Sequence, residues 1–146
     1  MFMQFRNKKY ILVILSVLFF YNSVFAKGNL IARCDKLEEQ KLGFDDAGFS
    51  VSVPKYKIET GQCYKLPITS SGKHEYILQG AKFFSHIYIR KLDIAQMEIG
   101  INSLRSIDFD GPVTAVLYFL AVKPGKYMIT DRDLSDKGTR FEIEVE

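Results

Sequence analysis

From Phe49 to the end of the chain, apolar and polar residues alternate with a period near two, the spacing of a strand with one buried face. Phe49-Ser50-Val51-Ser52-Val53 alternates until Pro54, which ends the strand or places it at a sheet edge. Tyr56 and Ile58 share one face, and Thr60-Gly61-Gln62 is a turn signal. Tyr64, Leu66 and Ile68 line the next strand, with Cys63, Lys65 and Pro67 opposite. Ser70-Ser71-Gly72 turns the chain into His74-Glu75-Tyr76-Ile77-Leu78. Ala81 to His86 suits one helical turn, Ile87-Tyr88-Ile89 a strand, and Leu92 to Ile101 strands, although Ala95 to Glu98 would accept a helix. After the Asp110-Gly111-Pro112 turn, Val113 to Val122 is an almost unbroken apolar run, short and β-branched enough for a buried central strand. Lys123-Pro124-Gly125-Lys126 is the clearest turn, because Pro presets one φ and Gly supplies another. Tyr127 to Asp131 forms a strand, Ser135 to Gly138 a loop, and Phe141, Ile143 and Val145 alternate with glutamates in a last half-buried strand. Short strands with Gly/Pro turns between them predict an all-β sandwich or barrel over residues 49–146.

Ahead of Phe49 the pattern differs. Leu30, Cys34, Leu37 and Leu42 are loosely spaced as one helical face, with Gly43 as a stop, so residues 27–48 read as a short N-terminal helix or irregular arm. Earlier still, Arg6, Lys8 and Lys9 precede the apolar run Tyr10 to Phe20, and Val24-Phe25-Ala26 offers small or β-branched residues at −3 and −1 of a cleavage point. Charge, apolar run and cleavage signature lead to the expectation of a secretory signal peptide over residues 1–26, with an uncleaved N-terminal anchor as the alternative. The run is shorter than the roughly 20 residues of a membrane span. The expected location is periplasmic or secreted, with no membrane span in the mature chain.

Composition matters mainly once that signal is set aside. The chain has 20 Lys+Arg against 17 Asp+Glu, but three of the basic residues belong to the signal, so the mature part is balanced. No nucleic-acid or anionic-lipid footprint is expected of it. Its length suffices for one core. Two cysteines, Cys34 and Cys63, in a small exported domain read as a disulfide, with metal ligation by one of them as the competing reading. Closing a loop of this length stabilises a fold by roughly 3–4 kcal/mol in the chain-entropy model.

Two stretches resemble cupredoxins. Pro54-Lys55-Tyr56-Lys57-Ile58-Glu59-Thr60-Gly61, continuing through Tyr64-Lys65-Leu66-Pro67-Ile68 to Lys73-His74-Glu75-Tyr76, is similar to that family's strand, Gly turn, apolar strand and His-acidic-aromatic triplet. Lys123 to Asp131, ending in Gly138 to Val145, is similar to its closing Pro-Gly-x-Tyr hairpin, ligand loop and last strand. The resemblance implies a cupredoxin-like Greek-key β-sandwich. It also implies ligand positions: the early His falls on His74, the Cys on Asp131, the later His near Leu134 and the Met on Thr139. Blue copper needs a soft thiolate, which an Asp oxygen does not supply. The resemblance therefore points to the fold without its type 1 copper site, and to no cofactor.

Asp131 shares the parity of Tyr127 and Ile129, so it points inward and must be paired, hydrogen-bonded or protonated. It is either a loop carboxylate bonded to amides or a partner of His74 in a site for a harder metal. His86 reads as a surface or capping residue, and Met97 and Met128 as core filler or soft copper(I) ligands. Tyr76, Phe83, Phe84 and Tyr88, with His86 among them, are core or, where exposed beside His74, a patch for a protein partner in the periplasm. His74-Glu75 lacks a second His four residues on, Ser70 and Ser71 lack a nucleophile elbow, and Gly61, Gly72 and Gly80 form no phosphate loop, so no enzyme is expected. The expected function is that of an exported binding or accessory module acting through its surface. The alternative is a periplasmic copper-binding or electron-transfer protein with a non-standard site around His74.

Overall fold

A computed structural model of the chain describes residues 33–146, so the signal expected over residues 1–26 lies outside the described residues. Among those described, the strands make two facing sheets. The first contains β1 (Asp35–Lys36), β2 (Gln40–Leu42), β4 (Cys63–Ser70), β6 (Ile87–Ile94), β7 (Met97–Ile99) and β9 (Thr114–Ala121), in the order β1-β4-β9-β6-β7 with β2 also on β4. The second contains β3 (Lys55–Ile58), β5 (Tyr76–Gln79), β8 (Ser106–Phe109), β10 (Gly125–Asp131) and β11 (Arg140–Val145), in the order β3-β11-β10-β5-β8. From β4 to β10 the chain passes repeatedly between sheets, the Greek-key crossing of a cupredoxin-like sandwich.

The inward residues are those the alternation marks: Leu66 and Ile68 on β4, Leu117 and Phe119 on β9, Tyr127 and Ile129 on β10, Phe141 and Ile143 on β11. β9 is central, as its apolar run predicts, but its faces are unequal: Ala115, Leu117, Phe119 and Ala121 are buried, while Val116, Tyr118 and Leu120 are half-buried on the outside. Between β9 and β10 the Lys123–Lys126 turn moves the chain across sheets, and Tyr127 Oη donates to Lys123 O at 2.8 Å. The helical turn α1 (Ala81–Phe84) is present and closes one side of the core with Phe83 and Phe84. Burying each ring contributes about 1.5–3 kcal/mol.

Three local expectations need correction. The described part of the N-terminal arm is extended, not helical: β1 and β2 run parallel to β4, pairing Asp35 with Tyr64 and Gln40 with Ile68. A helix here would bury one stripe, whereas the free edge of β4 offers backbone partners as well as a place for Leu42. Gly43 ends β2 instead of a helix, at φ +69°, where a Cβ would overlap Tyr76 Oη. The Phe49–Val53 alternation yields a single bridge, Leu42 to Val51. There the fully buried Gln40 side chain does what a ladder would, with Nε2 donating to Val53 O at 2.7 Å and Oε1 accepting from Val53 N at 3.0 Å. Finally, Ala95 to Glu98 is a tight hairpin joining β6 to β7, with Ala95 at φ +52°, and not a helix.

Candidate functional site

Asp131 ends β10 at the mouth of the loop that closes the sandwich, and it is 1% exposed. Its Oδ1 accepts from the backbone N–H of Asp133 and Leu134, each at 2.8 Å, and its Oδ2 accepts from Ile77 N on β5 at 2.8 Å. This is the amide-bonded loop carboxylate of the first reading above. Further backbone bonds brace the same loop: Asp131 N to Thr139 O, Thr139 N to Leu134 O and Arg132 N to Ile77 O. Gly138 takes φ +111° to let the chain return into β11.

His74 approaches from the β4–β5 connection. Its Nε2 lies 2.9 Å from Ala47 O, and because a carbonyl only accepts, Nε2 carries the proton. The remaining nitrogen, Nδ1, makes no hydrogen bond among the described residues. One face of the ring stacks on Phe49, with centroids 4.9 Å apart and planes 2° apart, and Tyr76 meets it edge-on at 6.2 Å. The loop carrying Ala47 and Phe49 is tied at its base by Ser50 N donating to Asp45 Oδ1 at 2.8 Å, a bond that holds the Asp45 carboxyl below its ordinary range. Gly48 packs so closely that a Cβ would sit 2.8 Å from the His74 ring.

Phe49 links the histidine to the closing loop. Thr139, fully buried, donates from Oγ1 to Phe49 O at 2.9 Å, and Lys137 Nζ sits 4.8 Å from the centre of the Phe49 ring. The four positions that the family pattern aligns are thus each tied within the chain: His74 to Ala47, Asp131 to three amides, Leu134 through its backbone and Thr139 to Phe49. No hydrogen bond or ion pair joins His74 to Asp131 among the described residues, and no group of three or more His, Cys, Asp or Glu is placed there to hold a metal ion. Sequence reasoning missed Phe49 in this role, since its alternation with Val51 and Val53 marks a strand and carries no sign of a ring stack.

The expected partner surface of Tyr76, Phe83, Phe84 and His86 is not a surface. Tyr76, Phe83 and Phe84 are 0%, 1% and 6% exposed. Phe83 packs on Phe119 at 5.4 Å and Tyr127 at 5.7 Å, and Tyr76 Oη reaches inward to Gly48 O at 2.9 Å. Rings of this size fill the space between the sheets more favourably than they cover the outside. His86 is half-buried, its ring 5.6 Å from Tyr127 near the start of β10, whereas Asp131 ends that strand. Its Nδ1 is buried without a hydrogen-bond partner among the described residues. Met97 on β7 and Met128 on β10 are exposed on different sheets, not core filler.

Of the four aromatics Tyr76, Phe83, Phe84 and Tyr88, it is Tyr88 that reaches solvent, 61% exposed on the outer face of the first sheet. Register places it beside Leu120, and Leu120 beside Cys63. Cys63 and Cys34 form a disulfide, so neither is a free thiolate. Tyr118 and Val116 continue the face, with Lys91 Nζ 4.6 Å from the centre of the Tyr118 ring. The outer face of the second sheet is different: Lys55 bridges Glu142 at 2.8 Å and Glu144 at 2.6 Å, and Lys126 reaches Glu144 at 3.3 Å. Among the described residues no helix is long and apolar enough to cross a membrane.

No protein-family model matches the chain, and no curated protein is similar to it in sequence. Solved structures do match in shape. A variant of the McoA multicopper oxidase from Aquifex aeolicus superposes with a TM-score of 0.58 at 12% identity, over 77% of this chain and 29% of that one. A laccase from Pediococcus acidilactici gives 0.59 at 12% identity, over 78% and 27%, and a multicopper oxidase from Campylobacter jejuni gives 0.55 at 10%, over 78% and 30%. The chain spans less than a third of the length of each of these proteins. At such identities the likeness is one of architecture, and the architecture is a cupredoxin-like β-sandwich.

Proposed function

We propose that this chain is an exported binding or accessory module that uses the copper-protein sandwich as a scaffold, works through its surface and has no type 1 copper site. The observation that carries this reading is the Asp131 carboxylate. It stands where the family pattern has a thiolate, and both its oxygens are taken by three backbone N–H groups. Leu134 and Thr139 offer neither imidazole nor thioether, so the donor set does not fit a blue centre, which needs soft sulfur.

A partner in this reading is a protein. The outer face of the first sheet supports it, with Tyr88 exposed beside Leu120 at one end and Tyr118 and Val116 further along β9. Lys65 and Arg90 border the face without an ion pair among the described residues. Such a face suits a partner with an apolar patch flanked by carboxylates. A photo-crosslinker at position 88, compared with one at Lys57 on the outer face of the second sheet, tests this in the producing cell. Crosslinks to one protein at position 88 alone support it, and equal or absent crosslinking at both opposes it. Export is tested by N-terminal sequencing of the exported protein, which should begin at Lys27.

A second reading has one observation in its favour: Nδ1 of His74 is left without a hydrogen bond among the described residues. This leaves room for a non-standard copper site. Titration of the purified protein with copper(I) and copper(II) separates the two. One-to-one binding lost in His74→Ala selects the second reading, and an intense thiolate-to-copper band refutes both.

A further inference from the structure

The Cys34–Cys63 bridge has a guanidinium set against it. Arg90 Nη1 lies 3.2 Å from Cys34 Sγ and 3.5 Å from Cys63 Sγ. The fold goes out of its way to put it there. Pairing of β6 with β9 slips between Ile89 and Lys91, so Arg90 is an additional residue in β6. Ile89 and Leu92 stay buried while Arg90 and Lys91 both turn outward. Bulges re-aim side chains in this way. From β6 the Arg90 side chain reaches across β9 to the cysteine pair at β4.

A neutral disulfide gains little from a nearby cation. A thiolate gains a great deal, and a disulfide sulfur that leaves as a stabilised thiolate leaves faster. The two sulfurs also differ in access. Cys63 is 3% exposed within β4, whereas Cys34 is half-buried just ahead of the two-residue edge strand β1. An incoming thiolate therefore meets Cys34 first.

We propose that the Cys34–Cys63 bridge is a thiol–disulfide exchange site, with Cys34 as the attacked sulfur, Cys63 as the leaving thiolate and Arg90 as the residue that stabilises it. The co-reactant is a dithiol. One thiolate of the dithiol bonds to Cys34 Sγ as the Cys34–Cys63 bond breaks, and the electron pair departs on Cys63 Sγ. The dithiol's second thiolate then attacks its own sulfur in the mixed disulfide and releases Cys34. The dithiol ends as a disulfide, and both cysteines end as thiols, having received two electrons and the two protons. Run backwards, the same steps reduce a disulfide. β1 and β2 also pair with β4 through their backbones, and this pairing is what would keep the two thiols close in the reduced protein.

The test uses the oxidised, folded protein and reduced glutathione as the probe thiol. Bridge opening is followed by maleimide labelling and mass, and the mixed disulfide is located by peptide mapping. Glutathione is expected on Cys34 and not on Cys63. Arg90→Ala is expected to slow opening by about threefold to tenfold, and Arg90→Lys to recover part of that rate. In the reduced protein, thiolate absorbance near 240 nm should titrate below the ordinary cysteine value of about 8.5 and move up in Arg90→Ala. A merely packing role for Arg90 would lower the melting temperature and leave that titration in place. The proposal is overturned if opening follows global unfolding across a urea series, if glutathione maps to Cys63, or if Arg90→Ala leaves both rate and titration unchanged.

Discussion

Replacing Asp131 by Ala removes three hydrogen bonds of 2.8 Å at once. The amide of Asp133 is partly exposed and can turn to water, but those of Ile77 and Leu134 are buried and are left unpaired. Each stranded buried amide costs about 1–3 kcal/mol, and bonds to a charged acceptor are worth about 1.5–3 kcal/mol each. Against this, losing a carboxylate that is 1% exposed returns part of the cost of its burial. The balance is a destabilisation of about 3–4 kcal/mol. Asp131→Asn keeps one acceptor oxygen for the loop and sets an NH2 against Ile77 N–H, so it should cost about 2 kcal/mol. Urea unfolding should give the order wild type, Asn, Ala in midpoint at constant slope. Amide exchange should quicken at Ile77 and Leu134 before it does in β9. If Ala lies within about 0.5 kcal/mol of wild type, the carboxylate is not what holds the loop, and the account of the site built on it fails.

Three further outcomes follow from the same geometry. Gln40→Ala leaves Val53 N–H and C=O without partners in a buried place, and should cost about 2–4 kcal/mol in urea unfolding, with faster exchange at the Val53 amide. Gly43→Ala combines a φ of +69° with overlap on Tyr76 Oη, so the variant should lose about 2–4 kcal/mol, and pairing it with Tyr76→Phe should relieve part of that loss. On the outer face of the second sheet, the bond to Glu142, with that to Glu144, raises Lys55 from 10.5 to about 12, and the bond from Lys55 lowers Glu144. The carboxylate's contribution is complete above the ordinary glutamate range and is lost as pH falls through its lowered value. That of the lysine is complete below 10.5 and is lost as pH rises through about 12. Thermal melts of Lys55→Met should therefore show a shallower fall at both extremes than wild type.

Much of the fold is legible in the alternation of residues, because a strand with one buried face writes its period directly into the chain. Tyr64, Leu66 and Ile68, or Phe141, Ile143 and Val145, are buried where that period puts them. The misreadings have a common cause. Residues 33–48 and 49–53 are held by partners that no local pattern records: the free edge of β4, a side-chain amide acting as a rung, and a bridge to Cys63. Burial of Tyr76, Phe83 and Phe84 follows from the distance between the sheets, which local sequence does not encode. The inward direction of Asp131 was legible from parity, and its choice of amides over His74 was not, because the amide of Ile77 comes from a distant strand.

A metal at this end of the sandwich would order four side chains by pulling them onto one atom. The chain instead orders the same four positions through separate bonds to its own backbone, at Ala47, Ile77, Asp133, Leu134 and Phe49. On the proposed reading the order of the closing loop is therefore a property of folding and not of occupancy. This has a measurable consequence, since anything that binds only the folded state raises its stability according to ligand concentration and affinity. With the loop already tied, equimolar copper should leave the melting temperature of the wild-type protein unchanged. Cutting the tie by Asp131→Cys should not create a blue centre, because Leu134 and Thr139 still offer no imidazole or thioether. Only the combined Asp131→Cys, Leu134→His and Thr139→Met variant should take up copper(II) with an intense visible band and a rise in melting temperature. An equal band in the single Asp131→Cys variant would show that the missing sulfur alone separates this sandwich from a blue copper protein.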